Sequence, residues 1–122
     1  METTLKVNWP EKDGRYKVVQ IYLDGEPDMI FDGLDMFHGI SLFNYLLKRG
    51  ITAETFMDKA GQLAPVLEGE KYKVVGAGNG IVKVEDRSLI CHGRSRGYEI
   101  GIDATHLEDL AEREIDWDIG EL

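Results

Sequence analysis

His38 lies in the run Met36-Phe37-His38-Gly39-Ile40, where an extended segment gives way to an amphipathic helical pattern. The first turn of a helix has backbone N–H groups without acceptors and a partial positive charge, so it attracts anions. A histidine in that position can also give or take a proton near neutral pH. The two properties together indicate phosphate chemistry, and the alternative is that His38 is a structural residue.

A second group of polar residues follows a predicted strand. The run Gly93–Gly97 holds Arg94, Ser95 and Arg96 between two glycines. Guanidinium groups match phosphate oxygens in geometry, and glycines let backbone N–H groups approach an anion. The run therefore predicts either a phosphate-binding loop or an ordinary polar surface loop.

The adjacent pair Cys91-His92 does not predict a metal site. Neighbouring residues of a strand point to opposite faces, and no second pair of His or Cys has ligand spacing. Cys91 is the only cysteine, which leaves no internal disulfide, and in an apolar strand it is typical of a small buried side chain. We therefore expect neither a metal nor another cofactor, and no cysteine nucleophile.

Composition limits the class of protein. The chain has 122 residues, of which 43% are hydrophobic, as suits a single domain spanning residues 1–122 with a packed core. A formal charge of −9 disfavours nucleic acid as a partner, because basic surface supplies most of that affinity. No apolar run approaches the roughly 20 residues that a membrane span needs. The first residues lack the features of a signal peptide, so we expect a cytoplasmic location. We also expect a monomer.

The periodicity of apolar residues predicts the elements that must position these groups. Alternating and β-branched runs predict strands at 5–9, 15–23, 29–31, 70–75, 81–84, 89–92, 98–102 and 115–119. Helical spacing predicts helices at 38–49, 52–60 and 105–113. This order favours an α+β fold with a single mixed or mostly antiparallel sheet of about six strands flanked by helices.

The sequence also predicts the surroundings of four further residues. Asn79-Gly80 lies between two strand-like runs and predicts a hairpin turn, with a glycine-rich loop at a phosphate site as the alternative. The spacing fits neither the P-loop nor the dinucleotide fingerprint. Lys17 shares a strand face with aliphatic residues, so it either extends past the sheet edge or points into a site. His106 is predicted to lie on the surface of the last helix.

Three stretches, taken in chain order, resemble the protein phosphohistidine phosphatase family, also called Janus/Ocnus. Asp13–Val19 is similar to that family's second strand, in which a lysine follows an aromatic residue. Phe37–Gly39 is similar to its aromatic-His-small motif at the start of the first helix. His92–Gly101 resembles its Tyr-Gly-x-Ser-x-Ala-Tyr-Gly loop. Order and rough spacing agree over most of the chain, including the closing helix and Asp116-Trp117.

The resemblance implies roles for individual residues. His38 would be the catalytic histidine, and the amides of His38 and Gly39 would hold phosphoryl oxygens. Ser95 and the Gly97 amide would hold others, and Lys17 would add positive charge. The implied activity is metal-independent hydrolysis of a phosphorus–nitrogen bond, such as that of phosphohistidine, on a protein or peptide. His38 would serve as a general base on water or as a nucleophile.

The chain departs from the family pattern in three places. A family arginine falls on Asn79, and a basic position falls on Asp32, which removes Coulomb attraction for phosphate. Arg94 or Arg96 would compensate, and we expect Arg96 to bind phosphate. The third departure is a longer segment at about 51–71, predicted to be a helical insert. These departures keep two other functions open, namely a non-catalytic acidic protein-binding module of inhibitor or immunity type and a phosphatase for a small phosphorylated molecule.

Overall fold

The computed structural model describes residues 6–122. This part of the chain forms nine strands and two helices. In chain order they are β1 (Gly14–Leu23), β2 (Glu26–Asp32), α1 (His38–Lys48), β3 (Thr55–Met57), β4 (Leu63–Pro65), β5 (Tyr72–Lys83), β6 (Ser88–His92), β7 (Arg94–Ser95), β8 (Ile100–Gly101), α2 (Ala104–Arg113) and β9 (Asp118–Glu121).

Five of these strands form the main sheet, in the order β2-β1-β5-β6-β9. The pairs β2–β1, β1–β5 and β5–β6 are antiparallel, whereas β6 and β9 are parallel. The strands β3–β4 and β7–β8 form two small separate sheets. The predicted α+β class with a mixed sheet flanked by helices is therefore confirmed, with five strands in the main sheet rather than about six.

The two faces of β1 contact different helices, because successive side chains of a strand alternate between faces. Val19 and Ile21 belong to a core that includes Leu42 and Leu46 of α1. Val18, on the opposite face, belongs to a second core that also contains residues of α2, Leu107 and Leu110. Lys17 has the parity of Val19, so it lies on the α1 face of the sheet. The predicted helices at 38–49 and 105–113 correspond to α1 and α2.

The predicted hairpin at Asn79-Gly80 is wrong, because β5 runs without a break from Tyr72 to Lys83. β5 is the central strand of the sheet, and its glycines allow close packing there rather than a turn. A Cβ added at Gly80 would lie 2.9 Å from Leu89 Cδ1 and 3.0 Å from Val18 Cγ1. The chain reverses after Lys83 instead, where Arg87 adopts a positive φ of 49°.

The predicted helical insert at 51–71 is also wrong, since this segment contains the hairpin β3–β4. Its turn is organised by Asp58, whose Oδ1 accepts hydrogen bonds from the N–H groups of Ala60 and Gln62, both at 2.9 Å. An aspartate that binds nearby backbone in this way favours a turn over a helix. Ala64 of β4 packs on Gly39, which fixes the hairpin against α1.

The two ends of the chain differ from the predicted strands. Of the strand expected at 5–9, residue 5 lies outside the described residues, and residues 6–9 form no strand. Trp9 instead stacks on Trp117, with the ring centroids 3.7 Å apart. The closing strand begins at Asp118 rather than at residue 115, because the Trp117 N–H donates to the Glu114 carbonyl in a turn. The strand expected at 98–102 is reduced to β8.

The predicted surface position of His106 is wrong, because its side chain is completely buried between α2 and β1. Its Nε2 lies 3.0 Å from the Ile21 carbonyl oxygen, and its Nδ1 lies 3.2 Å from Gln20 Nε2. The Gln20 Oε1 accepts from the Asp103 N–H at 2.7 Å, which fixes the orientation of the amide. Gln20 Nε2 therefore donates to His106 Nδ1, and His106 Nε2–H donates to the carbonyl. Burial lowers the pKa of His106.

Candidate functional site

His38 is the first residue of α1, and only 6% of it is exposed. Its Nε2 lies 2.8 Å from the carbonyl oxygen of Gly78 in β5. Because a carbonyl can only accept, Nε2 carries the hydrogen and the neutral ring keeps its lone pair on Nδ1. Nδ1 makes no hydrogen bond to another described residue. The central strand therefore selects the tautomer in which Nδ1 can accept a proton or attack an electrophile.

The pKa of His38 is lowered from its usual value of 6.5. Burial is the largest cause, because it disfavours the charged imidazolium. The hydrogen bond to Gly78 opposes this shift, and the positive charge of Lys17 adds to it. At neutral pH the ring is therefore mainly uncharged, as a general base or a nucleophile must be.

The start of α1 has free backbone donors beside this ring. The N-cap residue Phe37 is extended, and its side chain makes no capping hydrogen bond. The N–H groups of Ile40 and Ser41 both donate to the Phe37 carbonyl at 3.1 Å. No described residue accepts a hydrogen bond from the N–H groups of His38 or Gly39, and the first turn holds no acidic side chain. These two amides consequently lack an acceptor within the described part of the chain, as the amides of an anion site at a helix start do.

A row of polar side chains crosses the α1 face of the sheet near His38. The strand register places Lys17 opposite Asp32 on one side and opposite Asn79 on the other. Asn79 is in turn opposite His92. Ser41 of α1 donates a hydrogen bond of 2.9 Å to Asp32 Oδ2, which connects the helix to this row. The two positions at which the sequence departs from the family pattern are thus the direct neighbours of Lys17.

The loop predicted to bind phosphate adjoins α1 through Tyr98. Ser95 is buried, and its Oγ accepts from the Tyr98 N–H at 3.2 Å. The Tyr98 hydroxyl donates to the Pro65 carbonyl at 2.7 Å and would lie 3.6 Å from a Cβ added at Gly39. Arg94 and Arg96 are exposed.

Asp58 is a buried carboxylate at this loop that sequence reasoning did not single out. A Cβ added at Gly97 would lie 2.5 Å from Asp58 Oδ2, and the Lys59 N–H donates to the Gly97 carbonyl at 2.9 Å. An anion at Gly97 would therefore meet a negative charge, whereas an anion at Gly39 would meet the positive field of Lys17. The only sequence signal for Asp58 is its turn-forming spacing to Gly61.

The predicted residues thus form two groups. In the first, Lys17 and Asn79 are cross-strand neighbours, and His38 bonds to the Gly78 carbonyl next to Asn79. In the second, Ser95 bonds to the Tyr98 N–H, and Gly97 lies against Asp58. Within residues 6–122, no group of three or more His, Cys, Asp or Glu is arranged to hold a metal ion. Neither of the two helices in this range has the length and apolar character to span a bilayer.

Taken together, these features define an α+β domain with a neutral histidine and free amides at a helix start. No protein-family model matches the chain, and no curated protein matches it.

Removing the charge of Lys17 should change the titration of His38. In Lys17→Gln we expect the pKa of His38 to rise from its lowered value toward 6.5, because the repulsion that Lys17 exerts on the imidazolium is lost. Two-dimensional NMR of the ring nitrogens as a function of pH measures this directly. Lys48→Gln, at the other end of α1, is the matched control and should leave the His38 pKa unchanged. An unchanged pKa in Lys17→Gln would show that Lys17 does not act on this ring.

Proposed function

We propose that the protein is a metal-independent phosphatase that hydrolyses the phosphorus–nitrogen bond of phosphohistidine on a protein or peptide. The observation that carries this proposal is the neutral His38 ring, with its Nδ1 lone pair, next to the free amides of His38 and Gly39 and near Lys17. The three collinear stretches that resemble the phosphohistidine phosphatase family support it. On this proposal the fold is phosphohistidine-phosphatase-like, and the enzyme is a cytoplasmic monomer that uses no cofactor.

The proposed chemistry has two forms, and neutral His38 suits both. As a general base, Nδ1 takes a proton from water while the water oxygen attacks phosphorus, and the bond to the leaving nitrogen breaks. As a nucleophile, Nδ1 forms a bond to phosphorus while the bond from phosphorus to the substrate nitrogen breaks and that nitrogen takes a proton from water. A second water then breaks the bond between phosphorus and Nδ1, which releases phosphate and restores the neutral ring. In either case the leaving nitrogen gains a proton. The amides and Lys17 stabilise negative charge on the phosphoryl oxygens during transfer.

The test is phosphate release from a phosphohistidine peptide in the presence of EDTA. We expect wild-type protein to accelerate release above the spontaneous rate, and we expect His38→Gln to lose that acceleration. Asn44→Ala, on an exposed position of the same helix, should retain it. Equal release with wild type and with buffer alone would contradict the proposal.

A non-catalytic binding module remains the second candidate, and one group of residues favours it. Five large apolar side chains on α1 and the β3–β4 hairpin are exposed, namely Phe43, Leu47, Phe56, Met57 and Leu63. The carboxylate of Asp58 next to Gly97 also disfavours phosphate there. Asp32 and Asn79, which flank Lys17, supply no positive charge. A titration with millimolar phosphate separates the candidates by amide chemical shifts. Movement of the Gly39 amide supports the phosphatase, and its absence supports the binding module.

A further inference from the structure

Exposed apolar side chains adjoin His38 on the segment that leads into α1. Phe37 directly precedes His38 and is 43% exposed, and Leu34, in the turn closed by the Met36 N–H and the Gly33 carbonyl, is 51% exposed. Apolar side chains are more stable when they are removed from water than when they are exposed. Their exposure next to a candidate catalytic histidine indicates a surface that a bound ligand covers.

Phe37 is also unusual for its position at the helix start. Serine, threonine, aspartate and asparagine are preferred as N-caps, because their side chains accept hydrogen bonds from the first amides of the helix. Phe37 makes no such bond, so it leaves the amides of His38 and Gly39 free. A residue that is unfavourable both as a cap and as an exposed aromatic is typical of a functional position.

A third exposed apolar side chain is connected to Gly39 through Tyr98. Phe56 of β3 is 38% exposed, and its ring centroid is 6.0 Å from that of Tyr98. The Tyr98 hydroxyl reaches the neighbourhood of Gly39. Phe37, Leu34 and Phe56 are therefore three exposed apolar side chains on the segments that adjoin the start of α1. We call these three residues the apolar rim.

Charge further limits what could cover the apolar rim. The chain carries a formal charge of −9, and Asp35 is exposed between Leu34 and Phe37. Acidic side chains of a ligand would be repelled by both, whereas neutral or basic ones would not. A small phosphorylated molecule would leave the rim uncovered, because it has no side chains that extend beyond the phosphoryl group.

We infer that the substrate is a peptide segment with an apolar side chain adjacent to its phosphohistidine and without acidic neighbours. This inference rests on the proposed function and specifies its substrate. The phosphoryl group would meet the His38 and Gly39 amides while the adjacent side chain packs on Phe37. Binding by this contact acts mainly on KM, because it is the same in the ground state and in the transition state.

The experiment compares three five-residue phosphohistidine peptides, flanked by leucine, by serine or by glutamate, with inorganic phosphoramidate as a reference that lacks side chains. For wild type we expect kcat/KM to be about tenfold higher with leucine than with serine, through KM, and lowest with glutamate. Phe37→Ala should bring the leucine-to-serine ratio close to one. Phe43→Ala, which removes an exposed aromatic from another part of α1, should keep the wild-type ratio.

The outcomes distinguish a wrong substrate class from a wrong proposed function. If wild type hydrolyses all three peptides with equal kcat/KM, or if Phe37→Ala keeps the preference, the inferred substrate class is wrong while the phosphatase activity stands. If phosphoramidate is hydrolysed but no peptide is, the enzyme acts on small molecules. If nothing is hydrolysed, the proposed function and the inference fall together.

Discussion

His38→Gln is expected to lower kcat/KM for phosphohistidine hydrolysis by about 10²–10⁴-fold, the range typical of a lost general acid or base. Glutamine can keep a donor near the Gly78 carbonyl, which now accepts from His38 Nε2 at 2.8 Å. It cannot replace the Nδ1 lone pair, because an amide is not basic at neutral pH. The variant therefore separates the role of the ring in chemistry from its role in packing, with phosphate release in EDTA as the measurement.

The pH dependence provides a second measurement on the same pair of proteins. The pKa of His38 is lowered below 6.5, so the active neutral form persists below that pH. Wild-type kcat/KM should stay level as pH falls past 6.5 and then decline as the ring becomes protonated. The residual rate of His38→Gln should lack this decline. A loss of less than about threefold in His38→Gln, with an unaltered pH profile, would show that His38 is not the catalytic base or nucleophile.

The position of His38 was predictable because it depends on local sequence. The apolar spacing from Ile40 to Leu47 defines a helix, and α1 begins at His38 as that pattern predicts. The shared face of Lys17 and Val19 was likewise predictable, because side chains alternate along a strand. Strand and helix periodicity was sufficient to identify these elements and the α1 face of β1.

The errors arise where tertiary contacts outweigh local signals. Asn79-Gly80 has turn chemistry, but its glycines serve the close packing of a central strand against Val18 and Leu89. The helical spacing at Ala53 and Phe56 is overruled by the Asp58 turn and by the packing of Ala64 on Gly39. The Asp58 turn is local, whereas the contacts of Gly80 with Val18 and of Gly39 with Ala64 join residues far apart in the chain. The carboxylate of Asp58 at Gly97 could not be predicted for the same reason.

His106 is the residue for which sequence reasoning failed most completely, and its replacement is expected to have the largest effect on stability. His106→Ala should lower the free energy of unfolding by about 3 kcal/mol, because it leaves a cavity and removes the buried partner of the Ile21 carbonyl. Urea denaturation measures this. His92→Ala, at a half-buried histidine on the opposite face, should cost about 1 kcal/mol or less. His106→Gln serves as a second variant if the alanine protein does not fold.

The same residue should make wild-type stability depend on pH. Protonation of folded His106 would place a hydrogen on Nδ1 that points at the Gln20 amide donor, so the present hydrogen bond would be lost. Burial lowers the pKa of His106 below the unfolded value of 6.5. Between these two pKa values the unfolded chain binds a proton that the folded one does not, so stability falls as pH decreases through that window. His106→Gln should lose this contribution and show a shallower decline between pH 7 and pH 5. His38, whose pKa is also lowered, would account for the decline that remains. An identical slope in wild type and His106→Gln would contradict a neutral, buried His106.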